Sequence, residues 1–179
     1  MDNTINPFAA WFSALPPAER IQAGAAFRAL TGGTLSAYAN PRPVVVALVP
    51  VSTDQGLRLL GLRRTLAPRA GTIVLPGGFM EEGEEVEAAV AREVREETCL
   101  DTTPGAYIQF GRACATERGE LLLLMRHQGT LSRDEVQSLQ GRLEAEGDGE
   151  ASELVLIGPD TELGFPLHQA AATGFFRQF

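Results

Sequence analysis

The distribution of apolar and polar positions along the chain predicts a series of strands and helices. Residues 44–51 (VVVALVPV) are a continuous apolar run rich in β-branched side chains, which is typical of a buried strand. The turn residues 54–56 (DQG) separate this run from residues 57–62 (LRLLGL), and the arrangement predicts a β-hairpin. Residues 63–70 (RRTLAPRA) are predicted to form a basic loop. Further short strands are predicted at residues 72–75, 107–116, 121–125 and 154–157.

Helical patterns lie between these strands. Residues 85–98 form a charged amphipathic pattern, and a last helix is predicted over residues 167–176. Residues 132–146 are also predicted to be helical, because Ser132 can act as an N-cap and Glu135 occupies the capping-box position. Strands flanked by helices on mixed connections predict an α/β (α+β) layered domain.

The first forty residues have a pattern of their own. Two prolines ending at Pro17 favour a helix start, and two glycines beginning at Gly32 end the helical pattern. An apolar face of this helix is expected at Ile21, Phe27 and Leu30. The sequence therefore predicts an N-terminal helical extension, residues 1–40, and a main domain, residues 41–179. Formation of a homodimer through the extension is a hypothesis based on its apolar residues.

Composition and charge limit the classes of function. A chain of 179 residues with 44% hydrophobic and 21% charged residues is typical of a globular protein. Its net charge of −8 argues against a nucleic-acid partner, because such proteins neutralise phosphates with basic residues. Small phosphorylated ligands remain compatible, since a bound cation inverts the local field. All 15 basic residues are arginine, which excludes Schiff-base and P-loop lysine chemistry.

The cysteines and the N-terminus bear on location. Cys99 and Cys114 show no CxxC spacing and no surrounding histidine cluster, which argues against a zinc site or a disulfide framework. The N-terminus has an acidic start and prolines where a signal peptide has a basic and then an apolar run. No apolar stretch reaches membrane-spanning length. These observations predict a cytoplasmic protein without membrane association.

The segment with the clearest chemistry is residues 78–100 (GFMEEGEEVEAAVAREVREETCL). On a helix, Glu93 and Glu97 lie one turn apart and Glu96 lies three residues from Glu93, so the three carboxylates share one strip. Like charges about 4 Å apart repel by about 4 kcal/mol at an effective dielectric of about 20. Such a strip is either a solvated charged face or a site for a hard divalent cation.

The same segment resembles the Nudix box, which reads Gly, five residues, Glu, seven residues, Arg-Glu, an aliphatic, any residue, Glu-Glu, any residue, Gly, an aliphatic. The matching positions are Gly78, Glu84, Arg92, Glu93, Val94, Glu96, Glu97 and Leu100. Cys99 departs from this pattern, because the family has glycine there. The position lies near the helix end, where glycine often adopts the left-handed conformation, so either Cys99 is strained or the turn differs.

The resemblance implies a Nudix-like α/β/α sandwich with a mixed central sheet. It further implies that Glu93, Glu96 and Glu97 ligate Mg²⁺ or Mn²⁺, and that Glu93 takes part in activating water. Arg92 would orient Glu93 and brace the loop, and Glu84 would brace the loop and the helix. The carbonyl of Gly77 could supply another metal contact.

Other residues are weaker candidates. Three arginines in the basic loop could bind substrate phosphates or could simply be solvated: Arg63, Arg64 and Arg69. Glu150 and Glu153 lie where family members often place a further acid. Phe79 is expected to pack into the core rather than to stack on a base. The isolated histidines, His127 and His168, are expected to be packed or surface residues.

The implied substrate is a nucleoside diphosphate linked to another group, with cleavage within the pyrophosphate. An ADP-ribose-like molecule is favoured by general resemblance to the family. Two alternatives remain open. The first is a non-catalytic nucleotide-sensing module on the same fold, and the second is a housecleaning pyrophosphatase for oxidised nucleotides, whose base pocket the sequence does not reveal.

Overall fold

The chain separates by its backbone contacts into two units, Met1–Pro41 and Arg42–Phe179. The computed structural model describes residues 11–12, 14–31, 41–116, 119–146 and 151–179. In the first unit, helix α1 spans Pro17–Thr31, which confirms the helix predicted there. Ile21 on this helix is exposed, contrary to its predicted place on an apolar face. The side chains of Phe27 and Leu30 lie outside the described part of the chain.

The second unit contains short strands and three longer helices within the described residues. The strands are β1 (Arg42–Leu48), β2 (Pro50–Thr53), β3 (Gly56–Arg64), β4 (Ile73–Val74), β5 (Gly77–Phe79), β6 (Tyr107–Gln109), β7 (Cys114–Ala115), β8 (Glu120–His127), β9 (Leu131–Ser132) and β10 (Ala151–Ile157). The helices are α2 (Val86–Thr98), α3 (Arg133–Glu146) and α4 (Pro166–Phe176), with a 3₁₀ turn at Pro104–Ala106.

The strands form two mixed sheets. The first has the order β5-β1-β8-β6, with β7 also pairing with β8, and its β1–β8 pair is parallel. The second has the order β10-β3-β2-β9, with β4 pairing with β3, and its β2–β9 pair is parallel. The predicted fold class, α+β with mixed sheets, is confirmed.

The apolar run of residues 44–51 serves both sheets. The single strand predicted there is wrong, because β1 ends at Leu48 and β2 begins at Pro50 in the other sheet. Only the second part forms the predicted hairpin, in which Pro50 pairs with Leu59 and Thr53 with Gly56. Pro50 has no N–H to donate, so it suits the first position of a new strand.

Helices cover both faces of β1. Side chains on one face pack against α2, and those on the other face pack against α4, because successive side chains of a strand point to opposite faces. Val45 and Ala47 share a core cluster with Val90 of α2. Val46 and Leu48 share the second cluster with α4. This layering is the predicted α/β/α arrangement, and it explains why the run is apolar without alternation.

Other predicted boundaries differ from the structure. Strand β3 continues to Arg64, so Arg63 and Arg64 are strand residues and not loop residues, because β4 and β10 both pair with this end of β3. The strand predicted over residues 107–116 is interrupted between β6 and β7, where Gly111 has a φ of 70°. Gly77 and Gly78, which follow the strand predicted at residues 72–75, are part of strand β5.

Helix α3 begins with the predicted capping box. The backbone N–H of Ser132 donates to a carboxylate oxygen of Glu135 at 2.7 Å, and the N–H of Glu135 donates to Ser132 Oγ at 3.2 Å. These reciprocal bonds satisfy N–H groups that have no partner inside the helix. Within the part of the chain that the structure describes, no helix is both long and apolar enough to cross a membrane.

Candidate active site

The candidate site lies where helix α2 packs on strands β1 and β5. Strand β5 pairs antiparallel with β1, which places Gly78 opposite Val45 and Gly77 opposite Val46. Ala89, Val90 and Val94 of α2 are buried in the core cluster beside β1. The apolar face of α2 therefore fixes the helix on the sheet, and its carboxylates are held at the glycine strand.

Both glycines of β5 are required by close contacts. A Cβ atom on Gly78 would lie 2.5 Å from Oε2 of Glu93, and a Cβ atom on Gly77 would overlap the carbonyl oxygen of Val45. The Val45 oxygen belongs to the backbone, so only glycine fits at position 77, whereas a Cβ atom at position 78 would displace the Glu93 carboxylate that Arg92 holds. The bare backbone of Gly78 lets the Glu93 carboxylate lie directly against the strand.

Arg92 is the centre of an ion-pair cluster. Its Nε and Nη2 donate to the two carboxylate oxygens of Glu84 at 2.9 and 3.0 Å. Its Nη1 donates to Glu93 at 2.8 Å and to Glu96 at 3.1 Å, and Nη2 also donates to the carbonyl oxygen of Phe79 at 3.0 Å. We call Arg92, Glu84, Glu93 and Glu96 the Arg92 cluster. It joins helix α2 to the end of β5 and to the loop that follows.

The ion pair between Glu84 and Arg92 keeps both of these groups charged. Hydrogen bonding to Arg92 is the main reason that the pKa of Glu84 lies below its usual range, and the Glu81 N–H also donates to it. Hydrogen bonding to Glu84 in turn raises the pKa of Arg92. Glu84 therefore stays ionised through the neutral range and anchors Arg92 from the loop side.

Glu97 links the same helix directly to the glycine strand. Its side chain is buried, and Oε2 accepts a hydrogen bond from the Gly77 N–H at 2.8 Å. A buried carboxylate needs such partners, because its charge is otherwise costly to remove from water. The contact fixes the end of α2 to the first residue of β5.

Helix α2 ends at a residue in the left-handed conformation. Cys99 has φ 58° and ψ 16°, and its N–H donates to the carbonyl oxygen of Arg95 at 2.9 Å. The turn that glycine would form is therefore preserved with cysteine, and the backbone strain of about 1 kcal/mol is accepted. The thiol is buried in the core cluster.

The residues around β5 match a divalent cation in donor type and charge, but two of the carboxylates converge on Arg92 in this arrangement. Within the described ranges of the chain, no three His, Cys, Asp or Glu side chains are arranged so that they could hold a metal ion, and Nη1 of Arg92 is the positive group that Glu93 and Glu96 share. Four glutamates lie around β5 and carry four negative charges: Glu84, Glu93, Glu96 and Glu97. Arg92 and Arg95, the second of which contacts Glu96, carry two positive charges, so a formal excess of two negative charges remains. Hard carboxylate oxygens with this excess charge suit Mg²⁺ or Mn²⁺.

Comparison with protein families identifies the region that contains this geometry. Residues 41–117 match the family model of the NUDIX domain. The segment of residues 78–100 and strand β5 both lie within this match. Nudix hydrolases generally use divalent metal ions, which agrees with the donor set around β5.

One curated relative matches part of the chain. It is the ADP-ribose pyrophosphatase of Methanocaldococcus jannaschii, which is 40% identical over 63 residues. The alignment covers 35% of this chain and 35% of the relative, so it spans about a third of that protein's length.

Several solved structures share the fold. The NUDIX domain of Shewanella oneidensis NrtR, complexed with ADP ribose, has a TM-score of 0.61 at 20% identity, with 86% of this chain and 97% of that chain covered. A MutT/nudix family protein from Listeria innocua has a TM-score of 0.54 at 22% identity, with 78% of this chain and 94% of that chain covered. At these identities the similarity shows the Nudix fold alone.

Two of the three predicted substrate arginines, Arg63 and Arg64, lie on β3 in the second sheet. Arg63 Nε pairs with Glu153 of β10 at 2.8 Å, and its Nη1 donates to the carbonyl oxygen of Gly71 at 3.0 Å. Arg64 Nε donates to the carbonyl oxygen of Pro68 at 3.1 Å. These contacts brace the loop after β3, so the structure gives Arg63 and Arg64 structural partners.

The remaining candidates are placed as follows. The guanidinium of Arg69 lies 5.6 Å from the ring centre of Phe165. Glu153, predicted as a possible extra acid, is exposed and forms the ion pair with Arg63 described above. Glu150 lies outside the described residues. His127 Nδ1 lies 3.1 Å from the carbonyl oxygen of Gly129.

Two features of the site were not predicted. Phe79 is 46% exposed and its ring lies 4.4 Å below the guanidinium of Arg42, so the expectation that it packs into the core is wrong. Because β5 is a strand, Phe79 points to the face opposite Gly78 while its carbonyl oxygen binds Arg92. The second feature is His168, whose Nδ1 accepts a hydrogen bond from the Leu75 N–H just before β5. Nothing in the spacing of the sequence indicates either contact.

Proposed function

We propose that the Nudix domain hydrolyses the pyrophosphate bond of a nucleoside diphosphate linked to another group, with Mg²⁺ or Mn²⁺ held by Glu93, Glu96 and Glu97. The observation that carries the proposal is the placement of Glu93 and Glu97 against the backbone of β5, with Glu96 joined to Glu93 through Arg92. An ADP-ribose-like substrate is the most specific form of the proposal. It is supported by the ADP-ribose pyrophosphatase relative and by the ADP ribose bound to the NrtR domain.

The charge of the protein makes a cation necessary for this reaction. A pyrophosphate is anionic, and the glutamates around β5 would repel it without a positive group between them. The metal, when bound, would lower the pKa of a water molecule and neutralise the phosphate oxygens.

The side chains of the cluster have distinct roles in this proposal. Glu93 would accept a proton from the attacking water, because its carboxylate is held in one orientation by Arg92 and by the backbone of Gly78. Arg92 would keep Glu93 and Glu96 in place, and Glu84 would hold Arg92. Water would then add to one phosphorus of ADP-ribose while the bond from that phosphorus to the bridging oxygen breaks. The bridging oxygen would leave with the other phosphate, and the products would be AMP and ribose 5-phosphate.

Turnover of a substrate panel tests the proposal. We expect the purified full-length chain with Mg²⁺ to release a nucleoside monophosphate from ADP-ribose, and NADH, oxidised dGTP and coenzyme A complete the panel. Glu93→Gln removes the proton acceptor without changing its size, and we expect it to lower kcat by about 10² or more.

Glu153→Gln is the matched control, because Glu153 pairs with Arg63 on the other sheet. Its kcat should stay within about twofold of the parent, since an exposed ion pair contributes little. A folded chain that binds Mg²⁺ and cleaves no member of the panel would contradict the proposal. Preferential cleavage of oxidised dGTP would favour the housecleaning alternative over an ADP-ribose-like substrate.

A nucleotide-sensing module is the second candidate, and one observation favours it. The fold neighbours include Shewanella oneidensis NrtR, whose structures contain ADP ribose in one case and a 27mer DNA in another. A sensor would bind ADP-ribose without turnover. Calorimetric titration of ADP-ribose into the parent chain, with product analysis of the same sample, separates binding alone from hydrolysis.

Homodimerisation and a cytoplasmic location remain predictions. Light scattering of the full chain at several concentrations gives its solution mass and tests the dimer. A monomeric mass over the whole range would contradict it.

A further inference from the structure

The backbone between β4 and β5 is held by three separate parts of the fold. The Leu75 N–H donates to His168 Nδ1 at 3.1 Å, the Ala47 N–H of β1 donates to the Pro76 carbonyl oxygen at 2.8 Å, and the Gly77 N–H donates to Glu97. We call residues 75–78 the β5 corner. It connects β4 in one sheet to β5 in the other, so Leu75 and Pro76 belong to neither ladder.

His168 provides the anchor that lies furthest away in the sequence. It lies in the first turn of α4, its ring packs against Phe165 at a centroid distance of 5.1 Å, and its partner Leu75 is 93 residues away. Burial, followed by the charge of Arg64, lowers the pKa of His168 to about 4. The ring is therefore neutral at pH 7, and a neutral ring with its proton on Nε2 has a lone pair on Nδ1 to accept the Leu75 N–H.

We propose that His168 is a positioning residue for the site. By accepting the Leu75 N–H it fixes the position of the β5 corner, and the corner in turn fixes the positions of the Glu93 and Glu97 carboxylates. The inference rests on the proposed function where it concerns turnover. It rests on the contacts alone where it concerns the geometry of the corner.

The connection from His168 to the carboxylates is short and tight. The side chain of Leu75 is buried. Pro76 has no N–H and Gly78 pairs with β1, so the N–H groups of the corner that bind side chains are those of Leu75 and Gly77. Gly78 lies so close to Glu93 that the space for a Cβ atom is filled by the carboxylate. A small displacement of the corner must therefore move Glu93 as well. Loss of the His168 acceptor also leaves the Leu75 N–H without this partner, which favours such a displacement.

Four variants test the proposal. His168→Leu removes the acceptor, His168→Asn keeps a carbonyl oxygen near the position of Nδ1, and His168→Gln places its carbonyl oxygen near the position of Nε2. His127→Leu is the matched control, because His127 is the other histidine of the chain and its Nδ1 contacts Gly129 and not the β5 corner.

Amide hydrogen exchange in the full chain is the first measurement, and it requires neither metal nor turnover. In His168→Leu, we expect the exchange of the Leu75 and Gly77 amides to rise about tenfold, because one hydrogen bond of the corner is lost. The amide of Cys99, bonded to Arg95 at the end of α2, should not change. In His168→Asn, protection of Leu75 and Gly77 should return to within about threefold of the parent. His127→Leu should leave both amides unchanged.

Steady-state kinetics with ADP-ribose and Mg²⁺ is the second measurement. A displaced corner misplaces the carboxylates without removing a substrate contact. We therefore expect His168→Leu to lower kcat about tenfold and to leave KM within about twofold of the parent. We expect His168→Asn to recover most of kcat.

Two results would overturn the inference. One is a folded His168→Leu protein whose Gly77 amide exchanges as in the parent. The other is equal exchange in His168→Asn and His168→Gln, and this comparison decides the question if His168→Leu does not fold. Absence of turnover in every form of the protein would refute the proposed function, and the exchange measurements would still decide the role of His168.

Discussion

Two arginine-carboxylate groups of this fold differ in what surrounds them. Arg92 is 20% exposed and binds Glu84, Glu93, Glu96 and the carbonyl oxygen of Phe79. Arg63 is 40% exposed and pairs with Glu153, which is 53% exposed. The first group joins a helix, a strand end and a loop, whereas the second links two neighbouring strands.

This difference in burial and in number of partners predicts how much each arginine contributes to stability, which the residue types alone do not show. Exposed pairs contribute about 0.2–1 kcal/mol, because water screens the charges and two long side chains lose freedom. A partly buried cluster gains more from each contact, and it also leaves several charges unbalanced when its centre is removed. The expected effects of substitution therefore separate the two groups.

Removal of the central arginine is the largest expected effect on stability. Arg92→Met keeps much of the side-chain volume but leaves Glu84, Glu93 and Glu96 without their shared partner. We expect the free energy of unfolding to fall by about 3 kcal/mol, measured by urea denaturation in the absence of metal. Arg63→Met should cost less than about 1 kcal/mol. Equal losses in the two variants would show that burial does not distinguish the groups.

The dependence of stability on pH extends the comparison to His168, because charge acts there in the opposite way to its action in the Arg92 cluster. Arg92 favours the ionised form of Glu84, whereas burial and the charge of Arg64 oppose protonation of His168. The unfolded chain binds a proton at His168 near its ordinary pKa of about 6.5, and the folded chain does so only near about 4. The contribution of His168 is therefore complete above pH 6.5 and is lost as the pH falls toward 4.

Integrated over that interval, the loss is up to about 3 kcal/mol. Urea denaturation of the parent at a series of pH values measures it. His168→Asn has no titrating group and should show a smaller decrease over the same interval. A parent whose stability is constant between pH 6.5 and 4.5 would contradict the low pKa of His168.

A pair of glycine substitutions is expected to have the smallest effects and to have opposite signs. A methyl group on Gly78 would overlap the Glu93 carboxylate, so Gly78→Ala should destabilise the fold by about 1–3 kcal/mol. Gly141 lies in helix α3 with open space where a Cβ atom would be, so Gly141→Ala should stabilise it by about 0.5–1 kcal/mol. Thermal unfolding of both variants gives the comparison, and a shift of the same sign in both would contradict it.

The sequence predicts local features of the site well. The helix expected over residues 85–98 is observed at Val86–Thr98, because its amphipathic pattern and preceding glycines are local signals. The contact of Arg92 with Glu96 follows from their spacing of four residues on one helix, whereas its contact with Glu93 is expected from the resemblance to the Nudix box. The sequence leaves open whether Cys99 is strained or the turn differs, and the structure has the left-handed turn with cysteine in it.

Features that depend on distant pairing could not be predicted in the same way. The run of residues 44–51 is buried on both faces, so its hydrophobicity carries no sign of the change of sheet at Val49. Gly77 and Gly78 have low strand propensity, and only pairing with β1 makes them a strand. The pairing of Arg63 with Glu153 depends on the register of β3 and β10, which are 90 residues apart at this point.

The residue in the left-handed turn at the end of α2, Cys99, differs in exposure from the other cysteine of the chain. Cys99 is turned into the core, whereas Cys114 lies exposed on β7. A water-soluble maleimide should therefore react at Cys114 well before Cys99 in the folded protein. A fluorophore or spin label can be attached at this single cysteine, without mutagenesis, to report on ligand binding.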